Sequence, residues 1–145
     1  MFTTLTTEYL LLSWKENKMK VLLVEDNKGA QKNWIHSLRD VAVQVFSAFN
    51  LEQARKLCGE HSDIDVIVVD GTLGNEDGRD FVEEIRTSFP GKIIAASGFE
   101  SSCLDMMRSG ADFSCQGEKS KIPQIIKQIL ADQDVKALSW HDENR

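Results

Sequence analysis

Glu25, Asp26 and Asp70 are the residues on which chemistry can be built. Each follows an apolar run: Lys20-Val21-Leu22-Leu23-Val24 ends in Glu25-Asp26-Asn27, and Val66-Ile67-Val68-Val69 ends in Asp70. Unbroken runs of this kind suit strands buried on both faces, as in a parallel sheet covered by helices. In such a sheet the carboxyl ends of the strands point one way and hold the ligand site. If the two strands are neighbours, the three carboxylates converge. Like charges gathered in this way raise one another's pKa and are unfavourable without a counter-ion. A hard divalent cation with oxygen ligands resolves the conflict, and Mg²⁺ suits carboxylates plus waters. Ser97, after a third run from Lys92 to Ala96, adds a hydroxyl. The same residues also fit a solvated acidic rim without a metal, in which Asp70 only ends a strand and begins a turn.

Periodicity supplies the elements that must position these groups. Ala30, Trp34, Ile35 and Leu38 recur at helical spacing, and Val41 to Phe46 is a short valine-rich strand. Leu51, Ala54, Leu57 and Cys58 mark a second helix, capped by Asn50. Phe81, Val82, Ile85 and Phe89 mark a third, closed by Pro90-Gly91. A short helix around Leu104 to Met107 reaches Gly110, and Asp112 to Gln116 is a weak fifth strand. Ile122, Ile125, Ile126, Ile129 and Leu130 form the apolar stripe of a last helix, with Pro123 tolerated in its first turn. Five strands alternating with five helices predict an α/β fold, a doubly wound five-stranded parallel sheet. Its domain spans residues 20–132. Residues 1–19 form an N-terminal extension, of which residues 1–18 are dispensable for folding, and residues 133–145 a loose polar tail.

The composition narrows the class. The chain of 145 residues is long enough for one domain with a proper core, and its net charge of −6 with scattered basic residues argues against a nucleic-acid surface. Cys58, Cys103 and Cys115 lack zinc-like spacing and suit reduced thiols at apolar positions of a cytoplasmic protein. His36, His61 and His141 lack ligand spacing too. Leu10 to Trp14 is too short to span a membrane and has no basic residue before it, so neither a membrane nor a secretory signal is expected.

Over residues 20–132 the chain resembles a response-regulator receiver domain of two-component signalling. The resemblance rests on Glu25-Asp26, the strand-end Asp70, the Asp77-Gly78 turn, Ser97-Gly98 and Gly110-Ala111-Asp112, in that order and spacing. It implies a flavodoxin-like (βα)5 fold with strand order 2-1-3-4-5, which makes the first and third strands neighbours. It also implies Asp70 as a phosphoacceptor. Asp26 and Asp70 would then hold Mg²⁺ through their carboxylates, Thr72 through its backbone carbonyl and Glu25 through water, and Ser97 would hold a phosphoryl oxygen. The implied partners are a histidine kinase or phosphotransfer protein upstream and a target protein downstream. The implied role is a stand-alone switch in a phosphorelay rather than an enzyme.

Two departures bear on that expectation. Gly74 stands where the family commonly has proline, which loosens the loop. The family lysine after the fifth strand falls at Gln116 when counted from Phe113, which matches the family's switch aromatic, and at Gly117 when counted from Gly110. Gln116 donates hydrogen bonds but carries no charge. Lys119 reaches the site only if the loop folds back. The alternative reading is a pseudo-receiver, a binding module indifferent to phosphorylation. A phosphatase of the haloacid dehalogenase type fits poorly. Asp70-Gly71-Thr72-Leu73 resembles part of its motif, but the nucleophile position is Val68.

Overall fold

In the computed structural model, residues 6–7 and 18–143 are described, with side chains only as far as residue 133. Expectations for residues 1–5 and 8–17 therefore lie outside the described residues, as do those for His141 and for the side chains of the tail. The strands are β1 (Met19–Val24), β2 (Val43–Ala48), β3 (Val66–Asp70), β4 (Lys92–Ala96) and β5 (Phe113–Ser114). They form one sheet in the order β2-β1-β3-β4-β5, with every neighbouring pair parallel. The helices are α1 (Lys28–Ser37), α2 (Leu51–Glu60), α3 (Gly78–Arg86), α4 (Glu100–Arg108) and α5 (Ile122–Glu143). This is the doubly wound (βα)5 architecture expected from the apolar runs.

The central strands earn their place by composition. Val21 to Val24, Val66 to Val69 and Ile93 to Ala96 are all fully buried, which only strands covered on both faces allow. Helix α1 packs beside α5, and α3 beside α4. Each of α1, α2 and α3 opens on an Asn or Asp cap. Asn27 accepts from the Ala30 N–H at 2.9 Å, Asn50 from Gln53 at 2.8 Å and Asp77 from Arg79 at 2.9 Å. Removing such a cap costs about 1 kcal/mol.

Several boundaries differ from the sequence reading. β2 starts at Val43 rather than Val41, because the Val41 N–H is used by Leu38 to close the turn after α1. α4 begins at Glu100, ahead of its apolar residues, and β5 pairs only through Phe113 and Ser114. Gln116 (φ 55°) and Gly117 (φ 83°) are both left-handed, which ends that strand at once. The backbone of α5 continues past residue 132 to Glu143, where a loose tail was expected. Ile35 lies on the exposed side of α1, at 41 % accessibility; the inward positions are Gln31, Trp34 and Leu38. An unforeseen hairpin, Thr72–Leu73 against Glu76–Asp77, follows β3.

Candidate functional site

Sheet register gathers the acidic residues. Val24 of β1 pairs with Val69 of β3, so Glu25 stands level with Asp70. Asp70 in turn pairs with Ala96 of β4, which puts Ser97 one residue beyond it. Glu25, Asp26 and Asp70 each present a carboxylate oxygen within 4.8 Å of the others. Glu25 and Asp70 are buried, whereas Asp26 is exposed.

Hydrogen bonds fix this cluster from three sides. The Glu25 N–H donates to the Ala48 carbonyl at 3.0 Å, and Glu25 Oε1 accepts from the Asn27 N–H at 3.0 Å. Asp26 Oδ2 accepts from the Gly74 N–H at 3.1 Å, so the glycine in place of the family proline gives the loop a donor to the cluster. Gly74 is left-handed (φ 63°), a conformation proline cannot adopt. Gly78 is required for a different reason. A Cβ there would collide with the Asp70 carbonyl oxygen, against which α3 begins.

Lys119 enters from a short 3-10 turn, Lys119–Lys121, ahead of α5. Its Nζ lies 2.8 Å from Glu25 Oε2 and 3.2 Å from Asp70 Oδ1. The two left-handed residues, Gln116 and Gly117, fold the chain back, while Gln116 itself is exposed. The ammonium at this site therefore comes from Lys119. Its backbone is anchored by Trp34, whose indole N–H donates to the Lys119 carbonyl at 3.1 Å.

The electrostatics follow from that census. Burial, then the neighbouring Glu25 charge, push the Asp70 carboxyl up to about 7, against the pull of Lys119. Burial also acts to lower the Lys119 pKa, but Glu25 and Asp70 outweigh it, and the ammonium ends above its ordinary value. Three carboxylates against one ammonium leave the cluster short of positive charge. Around an octahedral Mg²⁺ with oxygens at about 2.1 Å, ligand oxygens stand roughly 3 to 4 Å apart. The carboxylate spread here is close to that, and the donor set is all hard oxygen, so the residues fit the ion.

Ser97 is buried, and its Oγ accepts from the Phe99 N–H at 3.1 Å. Thr72 is exposed and pairs with Asp77 across the hairpin. Phe113 is half-buried at the start of β5. Val68, at the position a haloacid dehalogenase needs for its nucleophile, is fully buried.

Sequence reasoning missed two supporting residues. Gln31 is buried, and its Nε2 donates to the carbonyls of Ala48 at 2.9 Å and Leu23 at 3.0 Å, with a longer contact to Glu25 at 3.4 Å. It ties the ends of β1 and β2 under the acidic pair. A polar residue at the inward spacing of Trp34 and Leu38 was the available signal. Trp34 was read as core only, yet a buried indole N–H needs an acceptor.

The model of the response regulator receiver domain matches residues 21–114, and the chain belongs to that family. Lys119 lies beyond the matched segment. The fold is shared with many solved structures. A two-component response regulator from Clostridium difficile is 20% identical, with 79% of this chain and 97% of that one covered and a TM-score of 0.70. A CheY-like receiver domain protein from Methanospirillum hungatei is 18% identical, covering 83% and 99%, with a TM-score of 0.69. The BeF3-activated receiver domain of DrrB is 18% identical, covering 79% and 98%, with a TM-score of 0.64. No curated protein matches the sequence. Among the described residues no helix is long and apolar enough to cross a membrane.

Proposed function

We propose that the protein is an Mg²⁺-dependent phosphoacceptor switch whose nucleophile is Asp70. A histidine kinase or phosphotransfer protein supplies the phosphoryl group, and the modified domain signals by binding a separate cytoplasmic target. The observation that carries this reading is the placement of Lys119 Nζ 3.2 Å from Asp70 Oδ1, inside a cluster of three carboxylates. The bound ion would neutralise charge on the transferring group. Glu25, Asp26, Asp70 and the Thr72 carbonyl would hold it. An Asp70 oxygen attacks phosphorus in line while the bond to the donor breaks, and Lys119 and the Ser97 hydroxyl take the phosphoryl oxygens. The Lys119 ammonium has a third N–H beyond those facing Glu25 and Asp70, which a phosphoryl oxygen can take.

The pseudo-receiver reading has one observation in its favour: Gln116, at the family lysine position when counted from Phe113, is uncharged and exposed. Mass spectrometry after incubation with acetyl phosphate and Mg²⁺ separates the two. The switch reading expects one base-labile phosphoryl group on the intact chain, absent in Asp70→Asn and much reduced in Lys119→Gln. No adduct, or an adduct indifferent to Asp70→Asn, would leave the pseudo-receiver.

A further inference from the structure

Behind Ser97 lies a pair of thiols that the phosphoacceptor chemistry does not use. Cys103 comes from α4 and Cys115 from the end of β5; both are fully buried, with Sγ atoms 3.7 Å apart. Both sulfurs address one group. Cys115 Sγ lies 3.3 Å and Cys103 Sγ 3.8 Å from the Ser97 carbonyl oxygen, and Cys115 Sγ accepts from the Ser97 N–H at 3.4 Å. Burial pushes the Cys115 thiol up, which keeps it protonated and donating. The backbone of Ser97 is thus held by the reduced pair.

We propose that Cys103 and Cys115 are a redox modification site, closed to a disulfide by a peroxide, and that closure displaces Ser97. When the first turn of α4 opens to solvent, the Cys103 thiol gives its proton to water and its sulfur attacks a peroxide oxygen. The O–O bond breaks to give a sulfenic acid and hydroxide, which takes up the proton. The second thiol then displaces water from the sulfenic sulfur, and the S–S bond forms. Overall two S–H groups and one hydrogen peroxide give one disulfide and two waters. A disulfide requires sulfurs about 2.05 Å apart, so the pair must draw together by more than an ångström. That movement pulls the first turns of α4 toward the end of β5, and it removes both S–H donors from a buried carbonyl, which is costly to leave unpaired. Access fits the helix end. Phe99, the residue before α4, makes no side-chain cap and is 73 % exposed, so the first turn, which leads to Cys103, lacks the cap that α1, α2 and α3 have. Cys58, in an apolar pocket with His61 and Phe89 under the opposite end of the sheet, is too remote to compete.

Part of this inference, the consequence for phosphoryl binding, rests on the proposed function, so the test separates the two. The full chain carrying Cys58→Ala is treated with hydrogen peroxide and trapped in acid. Peptide mapping should show a Cys103–Cys115 disulfide with the loss of two hydrogens, reversed by dithiothreitol. The Ser97 and Gly98 amide resonances should shift on oxidation, and should not shift in Cys103→Ala or Cys115→Ala. Asp70 labelling by acetyl phosphate should slow about tenfold in the oxidised chain, since positioned groups are that sensitive to sub-ångström displacement. Failure of the disulfide to form in the folded chain would overturn the proposal, as would a disulfide that leaves the Ser97 amide unmoved or the Asp70 labelling rate unchanged. If the reduced chain takes no phosphoryl group at all, the disulfide and the amide shifts still decide this inference, and only the phosphoacceptor reading fails.

Discussion

At the amino-terminal ends of the strands, partly exposed charges meet their match; at the carboxyl ends buried ones do not. Below β4 and β5, Arg86 donates to the Gly110, Phe89 and Gly91 carbonyls at 3.1, 2.6 and 2.8 Å, and to Asp112 Oδ2 at 2.8 Å. Asp112 Oδ2 also accepts from the Ile93 N–H at 2.9 Å, and Asp65 Oδ2 from the Lys20 N–H at 2.8 Å. One guanidinium, two carboxylates and three carbonyls are all satisfied. Above the sheet, Glu25, Asp26 and Asp70 crowd together, and among the described residues the one ammonium paired with them, Lys119, reaches Glu25 and Asp70. The lower arrangement spends its charge on stability. The upper one holds unbalanced negative charge in a buried place, which disfavours the empty fold and favours a cation.

The largest effect expected from this contrast is at Arg86. Arg86→Ala takes the donor from three carbonyls and leaves Asp112 with only the Ile93 N–H, and should lower the unfolding free energy by about 3 kcal/mol. Urea denaturation measures it. A loss below about 1 kcal/mol would mean the lower network is no better than a surface pair.

Asp70 should behave in the opposite sense. Its carboxyl, pushed up to about 7 in the fold, takes a proton more readily than the unfolded chain does. Stability contributed by this group is full below the unfolded carboxylate pKa of about 4 and is lost as pH rises toward 7. Without divalent cations, Asp70→Asn should therefore gain steadily on the wild type between those limits, in the direction the raised carboxyl dictates. Paired unfolding curves across that range check it, and a variant that loses ground with rising pH would reverse the assigned sign.

The contrast also shows what the chain declares in one dimension. The runs of β1, β3 and β4 were legible because burial on both faces demands continuous aliphatic sequence, and their register then brings Glu25 beside Asp70. β2 was displaced by two residues because its middle is only half-buried and its pattern is correspondingly weak. Lys119 could not be located by counting from Phe113 or Gly110. Its place depends on two consecutive left-handed residues and on a bond from Trp34, and neither leaves a spacing signal. The contact of Cys103 with Cys115 likewise arises only when α4 is laid against β5.

A smaller test concerns that anchor. Trp34→Phe keeps most of the packing but removes the N–H that holds the Lys119 carbonyl, and should cost about 1 kcal/mol. Differential scanning calorimetry of the two chains checks it; an unchanged melting temperature would show that Lys119 is held without Trp34.

Mg²⁺ is expected to supply the positive charge that the three carboxylates of the upper cluster call for. Thermal melts at about pH 8, where Asp70 is ionised, with and without Mg²⁺, for the wild type and Asp26→Asn, measure that. Asp26 is exposed, and asparagine keeps an oxygen for the Gly74 N–H, so the variant should fold normally. Saturating Mg²⁺ should stabilise the wild type by about 1–3 kcal/mol and the variant by much less. An equal gain in both chains, or none in the wild type, would contradict the account.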